Sequence, residues 1–181
     1  KKRFEDLSPK LQNRIEDCNL ILYVIDAKVP PKALLDIFER VNSGVPLTRQ
    51  QMRNCLYTGP ATQFLRAAAK TDLFISATGG SLRSDTMRDR ELINRFCAFQ
   101  RLPLETYKGD MDLFLATALQ GINETGTESL DRLSSEFNTS LRNNVALFGR
   151  HAFRKHTHVD QPRSVFNASL WDVMTTGLSR Y

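Results

Sequence analysis

One stretch of this chain, Asn19 to Ala27 (NLILYVIDA), reads as a β-strand to be buried: short, apolar and β-branched. A lone strand leaves a row of backbone N–H and C=O groups without partners, so it needs a second strand to pair with. Nothing else in the sequence offers one. Either another chain donates the partner or the sequence is a piece of a larger protein. Past Pro30 the apolar residues recur at helical spacing instead. The expected fold is therefore mainly α (α+β overall), with one strand near the N-terminus and a helical C-terminal subdomain. The expected division falls near residue 75, giving segments 1–75 and 76–181.

Local signals place about eight helices. Ser8 precedes Pro9 as N-cap and first helical residue, with Leu11 and Ile15 on the apolar face. Pro30 and Pro31 open a second helix with a Leu34, Phe38, Val41 stripe, and Gly44 suits the left-handed position past its end. Thr48 with Gln51 three residues on has the form of a capping box, and Met52 and Leu56 point inward from the helix it starts. A break at Tyr57 to Pro60 precedes an Ala-rich helix from Thr62 to Lys70. Ser76 to Ser84, with Gly79-Gly80, reads as a loop. Asp85 to Arg101 is a strong helix carrying Leu92, Phe96 and Phe99, and Pro103 stops it. Asp110 caps a helix with Phe114, Leu115 and Ala118. Thr127 opens the longest one, through Leu130, Leu133, Phe137, Leu141 and Phe148. His151 to Arg163 is polar and loop-like, and Asn167 to Ser179 forms a last helix with Leu170, Trp171, Met174 and Leu178. Phe96, Phe137 and Trp171 each lie on a continuous apolar stripe and are expected in the core.

Composition narrows the class. With 41% hydrophobic residues and eleven Phe the chain can bury a core. A net charge of +5 is compatible with a nucleotide or DNA partner without requiring one. Cys18, Cys55 and Cys97 are odd in number and widely spaced, without a CxxC pair, and Cys55 and Cys97 fall in apolar helix stripes. Buried thiols in a reducing cytoplasm are the expectation. No apolar run is long enough to span a bilayer, and Lys1-Lys2-Arg3 has no apolar stretch behind it to make a signal peptide. The protein is thus expected in the cytoplasm, away from membranes.

The segment with most chemistry is Ile37 to Tyr57 (IFERVNSGVPLTRQQMRNCLY). Helical spacing puts Glu39 and Asn42 on one side, and Gln50, Arg53, Asn54 and Tyr57 on one face of the next helix. Between them the Asn42-Ser43-Gly44 turn joins a helix end to a new helix N-terminus. Free N–H groups and the helix dipole there suit an anion. An ordinary helix–turn–helix with solvated polar faces explains the same pattern.

This segment resembles the family called domain of unknown function 262, or the GmrSD-type restriction endonuclease N-terminal domain. The matching residues are Phe38, Arg40, Asn42, Gly44, Leu47, Thr48, Gln51, Arg53, Asn54, Tyr57 and Gly59. A second block, Met87 to Phe99 (MRDRELINRFCAF), matches at Asp89, Glu91, Arg95 and Phe96, and the tail from Phe166-Asn167 to Leu170 resembles the family's closing helix. The family is similar to ParB and sulfiredoxin. The resemblance implies a ParB-like core and a nucleotide pocket, with NTP and Mg²⁺ as cofactors and hydrolysis coupled to restriction of foreign DNA in phage defence. It assigns Glu39, Arg40, Asn42, Gln51, Arg53 and Asn54 to nucleotide and phosphate binding, with Glu39 as the counterpart of an acid that contacts metal. The chain departs from the family in two places. The Asp-Gly-Gln-Gln-Arg motif is absent, and an amide, Gln51, stands where the family has an acid. Hydrolysis by this chain alone is therefore not expected, and a missing N-terminal segment or a partner chain would complete the site.

Two further groups carry weaker signals. Arg88, Glu91 and Arg95 share a helix face and read either as an ion-pair ladder or as a phosphate contact. His151, His156 and His158 invite a metal or nuclease reading, but the other ligands of such a site are not at the usual spacing. No Walker A, GxGxxG, GxSxG, HExxH or EF-hand pattern occurs. Two functional expectations result: a nucleotide-binding, DNA-restricting defence component with an incomplete active site, or a non-enzymatic helical module that binds DNA or a defence subunit.

Overall fold

A computed structural model describes residues 3–22, 24–26, 28–30, 33, 36–37, 40–41, 44 and 47–180. Among them are eight α-helices and no strand longer than a single bridge, Arg154 to Phe166. The chain is mainly helical, as its periodicity implies. It divides into two compact units, Lys1–Pro30 and Pro31–Tyr181.

The first unit holds a helical turn at Phe4–Asp6 and helix α1, Pro9–Glu16, with Pro9 in its first turn. The strand expected over Asn19 to Ala27 is not there: the described residues of that run have no secondary structure. Leu20 is 83% exposed and Val24 95%. The side chains suit a strand, but the described residues supply no second strand to complete its ladder, and Leu20, Ile21, Leu22 and Val24 stay exposed.

In the second unit the helix expected after Pro31 lies mostly outside the described residues, although Ala33, Asp36, Ile37, Arg40 and Val41 are helical. Gly44 does not take the left-handed conformation expected of it. The rest is built from α2 (Arg49–Leu56), α3 (Pro60–Ala68), α4 (Asp72–Thr78), α5 (Arg88–Arg101), α6 (Met111–Asn123), α7 (Thr127–Phe148) and α8 (Ala168–Gly177). Helix α5 is the hub and touches α2, α3, α6, α7 and α8. Its Leu92, Ile93, Phe96 and Cys97 are fully buried, and they meet Leu133, Phe137 and Leu141 of α7, spaced four apart, and Trp171 of α8. Phe96, Phe137 and Trp171 are buried as their stripes predict. The Trp171 indole Nε1 donates to the carbonyl of Leu92 at 2.8 Å, so the one polar atom of the largest core residue is satisfied.

Three local readings are corrected. Ser76 to Thr78 are the last turn of α4, which buries Phe74, Ala77 and Thr78. The signals were present: Thr71 caps its start by accepting from the Phe74 N–H, and Gly79 at φ +66° ends it. A Cβ on Gly79 would lie 1.5 Å from the Arg163 guanidinium, so glycine serves both the backbone angle and the close approach. The expected boundary near residue 75 falls inside this helix. The polar stretch from His151 begins with four buried residues, because Phe153 turns into the core against Trp171 at 4.6 Å, at the cost of a positive φ of 62°. Cys55 is exposed, unlike Cys97.

Burial pushes the Cys97 thiol well above its ordinary pKa. We expect an aromatic disulfide reagent to titrate two thiols, Cys18 and Cys55, in the folded protein and the third only in denaturant. Three fast-reacting thiols under native conditions would contradict the packing around α5.

Candidate functional site

Three of the residues singled out by sequence, Gln51, Arg53 and Asn54, lie on α2, and the way this short helix is anchored decides what they can do. At its N-terminus the expected capping box forms. Thr48 Oγ1 accepts from the Gln51 N–H at 3.2 Å, and Gln51 Oε1 accepts from the Thr48 N–H at 2.7 Å. The remaining donors are also used: Gln51 Nε2 donates to the Asp85 carbonyl at 2.9 Å and Thr48 Oγ1 to the Thr86 carbonyl at 2.8 Å. Gln51 is thus committed to fastening α2 to the loop before α5. At the other end Asn123 of α6 clamps the chain break, donating to the Tyr57 carbonyl and accepting from the Ala61 N–H, each at 2.9 Å. Gly59 lets it in, since a Cβ there would lie 2.6 Å from Asn123 Oδ1.

Arg53 is 1% exposed. Its Nε donates to Gln50 Oε1 at 3.1 Å and its Nη1 to Asp112 Oδ1 at 2.5 Å. Asp112 also pairs with Arg49. Burial draws the Arg53 pKa down from its ordinary value, and the bond to Asp112 works against that. The guanidinium is therefore paired within the fold and directed at α6.

The same face holds polar atoms with the opposite character. Gln50 Nε2, Asn54 Oδ1 and the Tyr57 hydroxyl are shielded from solvent and have no hydrogen-bond partner. Residues 50, 54 and 57 recur at four and three, which places them on one side of the helix. Burial pushes the Tyr57 pKa up, the nearby Arg53 charge opposing, so the phenol keeps its proton. An unpartnered buried polar atom costs about 1–3 kcal/mol, and three on one face are more than a helix this short carries without reason. Chemically the face offers neutral donors and an acceptor, suited to amide, hydroxyl or ring-nitrogen groups.

Of the six residues expected to bind nucleotide, Glu39 and Asn42 lie outside the described residues. Arg40 is exposed. Gln51, Arg53 and Asn54 come together on α2, the first two with their side chains engaged in the fold and Asn54 with an open acceptor. Gln50 and Tyr57, noted in sequence only as part of a polar face, have the other two open atoms. The second block is split. Arg88 pairs with Glu91 at 2.7 Å, whereas Arg95 leaves the ladder for a two-point bond to Asp172 of α8, which raises the Arg95 pKa. His156 stacks on buried His151 at 4.7 Å, and no group of three or more metal-ligating side chains occurs among the described residues. No helix among them is long and apolar enough to cross a membrane. Compared with protein-family models, curated proteins and solved structures, the chain has no match.

Proposed function

We propose that this chain is the helical portion of a ParB-like, nucleotide-binding component of a cytoplasmic DNA-restriction or phage-defence system of the GmrSD type. The observation that carries the reading is the α2 face. The block that resembles that family, Arg53-Asn54 through Tyr57, is also where Asn54 Oδ1 and the Tyr57 hydroxyl are buried without a hydrogen-bond partner. A nucleotide's base or ribose would complete those bonds, and Arg40, exposed and with no ion pair among the described residues, is the cation for the phosphates. Arg53 then acts by positioning, holding Gln50 on one side and Asp112 on the other. Mg²⁺ would enter with the triphosphate. Hydrolysis requires the Asp-Gly-Gln-Gln-Arg motif that the chain lacks.

The test is calorimetric titration of ATP and of GTP, each with Mg²⁺, into the chain. We expect saturable binding of at least one, weakened about tenfold or more by Arg40→Ala through loss of a charged hydrogen bond, and weakened by Asn54→Leu with the melting temperature retained. Absence of saturable heat at millimolar nucleotide overturns the reading. Salt-sensitive binding of duplex DNA without nucleotide heat would instead favour a non-enzymatic DNA-binding module.

A further inference from the structure

A second concave site lies away from the α2 face. It is a cleft of about 670 Å³ between the C-terminal end of α3, helix α4, the loop after Gly80 and the start of α5, a size typical of small-molecule sites. Its apolar wall is Phe74, Ile75 and Leu82. Its charged lining is lopsided. Arg66, Lys70 and Arg90 all border the space, and none has an ion pair among the described residues. The Arg90 Nε is shielded from solvent with no hydrogen-bond partner, and Nη1 reaches only the Met87 sulfur, at 3.5 Å. Of the two carboxylates at the cleft, Asp85 is already held by Arg83 in a two-point bond. Asp89 is buried and accepts from the Arg90 N–H at 2.8 Å. Three cations against one uncommitted carboxylate leave the cleft positive, beside a wall of aromatic and aliphatic side chains.

Positive charge and apolar surface in one cleft define a ligand class. Bare inorganic anions gain nothing from Phe74 and Leu82, and neutral apolar molecules leave the Arg90 guanidinium unpaired. We propose that this cleft binds a small organic anion, with its carboxylate or phosphate against Arg90, Arg66 and Lys70 and its aromatic or aliphatic body against Phe74, Ile75 and Leu82. The site is independent of the nucleotide reading: no α2 side chain lines it, although the carbonyl of Asp85 at its edge accepts from Gln51. A ligand here would bridge α3, α4 and α5.

Two pairs of probes separate the head from the body: phenyl phosphate against inorganic phosphate, and benzoate against acetate, each titrated into the full chain by calorimetry. At least one aromatic member should bind saturably and about tenfold or more tighter than its small partner, as burial of a phenyl ring requires. Arg90→Gln should weaken it about tenfold or more through loss of a charge-assisted bond. Because Arg90 is partly buried, Lys70→Gln, at an exposed position, provides a second variant and should weaken binding at an unchanged melting temperature. Asn54→Leu should leave it unaffected, which separates failure here from failure of the nucleotide site. If neither aromatic anion outbinds its partner, or if Lys70→Gln and a folded Arg90→Gln both bind like the parent, the proposal is overturned, and Arg66 and Lys70 serve the end of α3 alone.

Discussion

Replacing Trp171 with alanine is expected to destabilise the helical unit by about 3–5 kcal/mol, the range for removing a large aromatic from a close-packed core. The ring is fully buried where α4, α5, α7 and α8 meet. Phe153 lies 4.6 Å from it, Phe74 meets it edge-on at 5.9 Å, and Phe137 stands at 6.2 Å. These rings come from separate elements, so the void left by alanine could close only if several helices moved together. Trp171→Phe should cost less, keeping most of the ring and losing the bond to the Leu92 carbonyl, worth about 1 kcal/mol net. Urea denaturation followed by far-UV circular dichroism measures both, since tryptophan emission is lost with the residue. A cost below about 1 kcal/mol for Trp171→Ala would mean the aromatic cluster is not the centre of the core.

The second large effect is expected at the pair that anchors α2. Asp112→Ala removes the carboxylate facing Arg53, whose side chain is 2% exposed, and leaves a buried guanidinium with Gln50 alone. Breaking a buried pair from one side typically costs about 3–5 kcal/mol. The low end is expected here, because the Asp112 side chain keeps 27% of its accessibility and water can reach the gap. Arg53→Met removes the charge while retaining length, so it should cost distinctly less than Asp112→Ala. That order is the signature of a desolvated charge. If Arg53→Met proves the more destabilising of the two in the same urea experiment, the pair is not what holds α2.

Local signals in the sequence were enough wherever the cause was local. The Thr48–Gln51 box, Pro9 at a first turn, the Asp110 cap and the four-residue spacing of Leu133, Phe137 and Leu141 all involve residues within a few positions of each other, and each forms as read. The mainly helical class follows, because periodicity is set by which face of each helix must leave water. The short α4 was within reach too, through Thr71 and Gly79, but a seven-residue helix holding only three buried residues gives a weak periodic signal.

What the sequence determined by itself, then, is which segments are helical and which of their faces turn inward; what only the tertiary structure decided is which polar groups find partners. Arg53 and Asn54 are adjacent in sequence and equally polar, yet one is consumed by Asp112, 59 residues away, and the other keeps an open acceptor. Arg95, spaced to join a ladder with Glu91, is taken instead by Asp172, 77 residues on. The run from Asn19 has the side chains of a strand but no ladder among the described residues, because a strand needs a neighbour and its own sequence cannot specify one. The cleft edged by Arg66, Lys70 and Arg90 likewise exists only once α3, α4 and α5 have packed. Helical spacing acts over four residues. Pairing of charges, closure of a ladder and the shape of a cleft act across the whole chain, and they are settled by which helices the core brings together.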